Sequence, residues 1–129
     1  MLARLGLAAI GAAGCVGAGR AALATRRVLG GDPAHGRRLV ADGAYGCTAC
    51  HTIPGIRAPR GDVGPPLAGL ARRPFIAGAL PNTPDVLVAF LQDPPARVPQ
   101  TGMPDVGLGA AQARDIAAYL YTLGSPAGR

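Results

Sequence analysis

The chain has 129 residues, which is room for one domain and a short leader but not for a second catalytic module. Every basic residue is Arg and every acidic one Asp, and the formal charge of +6 is concentrated near the start, where Arg4, Arg20, Arg26 and Arg27 stand. The remainder carries 9 Arg against 7 Asp, a net of +2, with no basic stripe interleaved with aromatics, so nucleic-acid binding and long-range steering of a charged partner both lack support.

Residues 5 to 19 hold no charge and follow Arg4, so residues 1–27 read as a signal peptide or an N-terminal membrane anchor. The run is shorter than the roughly 20 residues that span a bilayer comfortably, and its Gly and Ala suit a signal-peptide core. Ala22-Leu23-Ala24 offers small residues for cleavage, while Arg20, Arg26 and Arg27 after the run oppose the charge bias that favours export. Cys15 sits in a loose lipoprotein-like box, and its bland alternative is a small apolar residue within the leader.

A folded domain is expected over residues 28–125, with 126–129 as a flexible tail. Asp32 reads as an N-cap and Pro33 as the first helical residue, so a helix should run from Pro33 to Asp42 with Leu39 and Val40 facing inward. His35, in its first turn, reads as a solvated surface histidine.

Cys47-Thr48-Ala49-Cys50-His51 follows, and it is the pattern of covalent haem attachment. Each thiol can add across a haem vinyl group, and His51 is placed to bring an imidazole nitrogen beneath the iron. A thioredoxin-like thiol pair would need a buried strand before Cys47, which the sequence does not offer. A zinc site would need four ligands, and outside the motif only His35, Cys15 and scattered Asp are on offer. With no Trp, 2 Phe and 3 Tyr, the chain is short of large flat side chains, and a haem would supply that apolar surface.

Residues 52 to 63 contain Pro54, Gly55, Pro59 and Gly61 and read as a surface loop. In Gly64-Pro65-Pro66-Leu67 the prolines remove backbone donors and leave carbonyls free. Pro65 is therefore the candidate acceptor for the far nitrogen of an iron-bound His51, the alternative being a rigid turn with no such role. Arg72 and Arg73 could clamp the haem propionates, with Arg73 favoured, or could simply be solvated.

Thr83-Pro84-Asp85 reads as a helix start, and Val86, Leu87, Phe90 and Leu91 follow at helical spacing until Pro94-Pro95 ends it. The proline-rich run from Asp93 to Pro104 should then be irregular. Within it, Met103 is a thioether between Gly102 and Pro104 on a stiff loop, a poor gap-filler and a well-placed distal ligand. A last helix should run from Gly109 to Leu123, with Ala113, Ile116, Ala117, Leu120 and Leu123 inward and Gly124 as its cap.

From about Gly31 to Leu123 the chain resembles the class I cytochromes c. The likeness rests on Cys47 to His51, Gly64-Pro65-x-Leu67, Phe90-Leu91-Gln92-Asp93-Pro94, Gly102-Met103-Pro104 and Ala118-Tyr119-Leu120, in the family's order. It implies an all-α fold of three main helices and short turns around one haem c, bound through Cys47 and Cys50. It implies iron ligation by His51 and Met103, a cofactor pocket that includes Pro65, Leu67, Arg73 and Phe90, and a crossing of the first and last helices near Gly36 and Tyr119. Within the family, Phe75-Ile76-Ala77-Gly78 and Pro81-Asn82-Thr83-Pro84 look most like cytochrome domains associated with haem-copper terminal oxidases. Phe90 departs from relatives with an aromatic hydroxyl there, and no Lys ring for docking is present.

The implied function is single-electron transfer rather than enzymatic turnover, to or within a respiratory terminal oxidase chain. Implied partners are a terminal oxidase, a cytochrome bc-type complex or a dehydrogenase, with membrane association through residues 5–24 if the leader stays. The family attaches haem outside the cytoplasm, which implies a periplasmic protein, soluble or tethered to the membrane's outer face. The rival readings are a haem enzyme or gas-binding protein with a weak or open distal position, and an assembly subunit in which haem is a structural staple.

Overall fold

The computed structural model describes residues 26–57 and 61–124. Residues 1–25 of the leader segment, Cys15 among them, together with Arg60 and the tail therefore lie outside the described residues. Among the described residues no helix is long and apolar enough to cross a membrane.

Helix α1 spans Pro33–Ala41 and begins as the sequence dictates. Asp32 is extended, and its carboxylate accepts from the N–H groups of Ala34 at 2.9 Å and His35 at 3.2 Å, satisfying donors that a helix start leaves unpaired. Val40 turns inward and is 1% exposed, Leu39 packs beside it, and Arg37 and Arg38 stay in water. Helix α2 is the single turn Cys47–Cys50, which ends because His51 adopts an extended backbone.

The chain then folds back on itself in an irregular loop, passes a 3₁₀ turn at Leu70–Arg72, and makes a small antiparallel hairpin. Strand β1 (Phe75–Ile76) pairs with β2 (Leu80–Pro81), Phe75 opposite Pro81 and Ile76 opposite Leu80. This hairpin adds a little strand to the helical fold expected from sequence.

Helix α3 spans Pro84–Gln92, with Leu87, Phe90 and Leu91 buried. Thr83 occupies its N-cap position but its hydroxyl makes no capping bond, so Pro84 and Asp85 carry that start. Helix α4, Pro94–Arg97, replaces the irregular run expected there. Prolines at the first two positions of a helix remove only donors that have no partner anyway, and Asp93 accepts from Ala96 N–H at 3.1 Å. Helix α5 spans Ala110–Leu120 and ends at Tyr121, a turn earlier than Gly124.

Helices α1 and α5 cross at Gly36, where a Cβ would run into the Asp115 carbonyl and lie 2.9 Å from Ile116 N. The crossing thus lies one turn before Tyr119, because only hydrogen at residue 36 lets the two backbones approach this closely. Ala113 and Ala117, both 0% exposed, supply the flat inner face of α5. Each buried Leu, Ile or Val around that crossing contributes about 1.5–3 kcal/mol. The core forms a shell rather than a filled centre, since Val40, Leu87, Phe90, Leu91, Ile116 and Leu120 all line a cavity of about 530 Å³.

Candidate functional site

Helix α2 presents both thiols to the cavity from one turn, with Gly46 in a left-handed conformation before it. Cys47 and Cys50 are free, not joined to each other. Burial pushes the Cys47 thiol above its usual value. Thiol-redox pairs use the opposite shift, and no strand precedes Cys47 among the described residues, so the thioredoxin-like reading finds no support. Zinc loses its geometry, as the described residues hold no cluster of three or more His, Cys, Asp or Glu able to bind a metal.

The His51 imidazole is aimed by the loop that follows. Gly64 N–H donates to the Cys50 carbonyl at 2.8 Å and Leu67 N–H to that of Thr52 at 2.9 Å, which lays residues 64–67 alongside 50–52. The Pro65 carbonyl then sits 2.8 Å from His51 Nδ1. A carbonyl only accepts, so Nδ1 carries the proton and Nε2 keeps its lone pair for a metal. Gly64 lies flat under the ring: a Cβ there would be 2.6 Å from Nδ1 and closer still to Cε1.

Met103 reaches the cavity from the loop between α4 and α5, where its N–H donates to the Thr101 hydroxyl at 3.2 Å. Leu67 and Phe90, 8% and 7% exposed, form apolar wall. Arg73 lines the cavity as well, while its Nη2 donates to the carbonyls of Pro66 and, at 3.2 Å, Ala68. All eight residues singled out in the sequence therefore face one cavity.

Others were missed. Tyr45, Ile53, Leu70 and Ile76 also line the cavity, yet isolated apolar residues in irregular segments carry no periodic signal. His35 is not simply solvated, since its Nδ1 lies 2.7 Å from Asp115 Oδ2 on α5.

The cavity fits a haem by its own features. Its volume lies within the roughly 300–1,000 Å³ of cofactor pockets, its walls are chiefly apolar, and two thiols and a tautomer-locked imidazole share it with a thioether. Comparison with known proteins agrees. A family model described as Cytochrome c matches residues 33–124. The X-ray structure of cytochrome c2 from Paracoccus denitrificans is similar, with a TM-score of 0.54 and 22% identity, covering 73% of this chain and 97% of that one, which shows the shared fold. No curated protein matches. The chain belongs to the cytochrome c family, with the class I fold, and is a haem-based electron carrier whose one haem c is held covalently through Cys47 and Cys50.

Proposed function

We propose that His51 and Met103 would both hold the iron of the bound haem and that the protein passes single electrons toward a respiratory terminal oxidase. Bound haem supplies an iron that alternates between ferric and ferrous. The chain supplies the rest. His51 is oriented through Nδ1 by the Pro65 carbonyl, Met103 is carried on a proline-stiffened loop, and the apolar wall of Leu67 and Phe90 keeps water away. A thioether ligand in a low-polarity pocket favours the ferrous state, which suits traffic toward an oxidase. Arg73 spends Nη2 on backbone carbonyls and retains further N–H donors for a propionate.

The observation that carries this reading is the shared cavity of His51, locked by Pro65, and Met103. The test is the optical spectrum of the ferric holoprotein beside that of Met103→Ala. The native protein should show the weak long-wavelength band of sulfur ligation when ferric and, once reduced with dithionite, no shift with carbon monoxide; the variant should lose the band and, once reduced, bind carbon monoxide. A native protein that binds carbon monoxide would instead support the gas-binding or enzymatic reading.

The same reading places the domain at residues 28–125, in the periplasm, behind a leader at 1–27 that is either removed or kept as an anchor. Its support is the uncharged run at 5–19 and the family's extracytoplasmic haem attachment. The intact mass of the native protein distinguishes cleavage, retention and lipidation at Cys15. For the electron partner, reduced protein mixed with membranes containing a haem-copper oxidase should be oxidised within the oxidase's turnover time.

A further inference from the structure

Among the described residues Asn82 is the polar side chain that is buried, at 2% exposure. It has no bond to the cavity; all its partners are structural. Its Nδ2 donates to the Leu70 carbonyl at 2.8 Å and the Arg73 carbonyl at 2.9 Å, and its own N–H donates to Pro74 at 3.0 Å. Both neighbours of Nδ2 are acceptors, so the amide has one orientation, and Tyr121 at the end of α5 donates its hydroxyl to Oδ1 at 2.8 Å. Burial pushes the Tyr121 hydroxyl up to about 12, so it remains a donor across the physiological range.

The turn held in this way bears Leu70 and Arg73 on the cavity wall. Arg26 adds bonds from Nη1 to the carbonyls of Ala71 and, at 3.0 Å, Arg73. From the same turn the Arg73 guanidinium reaches back to Pro66 and Ala68, and the residue before Pro66 is Pro65, whose carbonyl accepts from His51. A continuous set of bonds therefore runs from the end of α5 to the imidazole. The loop at 64–68 has no helix or strand of its own to stiffen it.

We infer that Asn82, keyed by Tyr121, is a positioning residue: by pinning the Leu70–Arg73 turn it sets where Arg73 holds the 66–68 carbonyls, and so how firmly Pro65 grips the His51 Nδ1 proton. This rests on His51 as the iron's proximal ligand but not on Met103.

The experiment compares holoprotein variants Asn82→Ala and Tyr121→Phe with His35→Ala, which breaks a contact outside the network. The readout is solvent exchange of the His51 Nδ1 proton, followed by NMR in the reduced, diamagnetic state, beside global stability from denaturant titration. Asn82→Ala should speed exchange about tenfold or more and Tyr121→Phe about three- to tenfold, as expected for losing buried hydrogen bonds. His35→Ala should leave exchange at the native rate. Equal acceleration in all three, in proportion to lost global stability, would overturn the inference, as would native exchange in Tyr121→Phe. Tyr121→Phe removes one oxygen and keeps the ring, so it decides the matter even if Asn82→Ala yields no holoprotein. A native protein that binds carbon monoxide would count against Met103 ligation, and its carbon monoxide complex, itself diamagnetic, would serve to read this proton's exchange.

Discussion

Glycine 64 shows how much one hydrogen atom can decide. A methyl there would press on the His51 ring at Nδ1 and Cε1, and the ring cannot retreat without leaving the Pro65 carbonyl. Gly64→Ala should therefore lower the yield of holoprotein and destabilise what forms by about 1–3 kcal/mol, the usual cost of overpacking. Haem-to-protein ratio and a thermal midpoint would measure both. The motif from Cys47 to His51 was legible because covalent attachment demands those residue types at that spacing. Met103 stood out by its place between Gly102 and Pro104, and it lines the cavity. Gly64 as a cradle and Asn82 as a knot were not, since their roles depend on atoms that meet only after the chain folds back.

Helices α1 and α5 are joined at their crossing by more than apolar contact. Asp115 accepts from Asp32 N–H at 2.8 Å and pairs with His35 at 2.7 Å. The Asp32 N–H, and then His35 and Arg114, hold the Asp115 carboxyl below its usual 3.8. Such a group contributes stability above pH 3.8 and loses it as pH falls through the lower folded value. Asp115→Asn should thus cost about 1 kcal/mol at neutral pH and nothing at the acid limit, so the two urea midpoints should converge as pH falls through the carboxyl's folded value. Helix starts read well from sequence when the cap was a side chain, as at Asp32. They read poorly where proline opens a turn: Pro94 and Pro95 end α3 at Gln92 as expected but also start α4, because position within a turn, not residue type alone, decides what proline costs. Gly124 misled similarly, since Tyr121 ends α5 first.

The molecule as a whole is a shell around its site. A cavity of 530 Å³, at roughly 24 cal/mol per Å³ if sealed and left unfilled, would cost up to about 13 kcal/mol, comparable with the entire ~5–15 kcal/mol net stability of a domain. An open mouth lowers that ceiling without changing its meaning. Cys47→Ser/Cys50→Ser, produced without covalent haem, should show no cooperative thermal transition and little near-ultraviolet circular dichroism, while the native holoprotein shows both. A cooperative transition in that variant would mean the shell stands by itself.

The sequence alone determined the cofactor, the helical class and eight of the residues that line the cavity, because haem attachment, helix capping and apolar periodicity are local rules with local signatures. Only the tertiary structure decided the exact place where α1 and α5 cross, the helical turn at Pro94, and the bond that reaches Asn82 from Tyr121. The crossing and the Asn82 bond join groups far apart in the chain, and nothing in the residues beside Gly36 or Asn82 names the carbonyl or hydroxyl that each will meet.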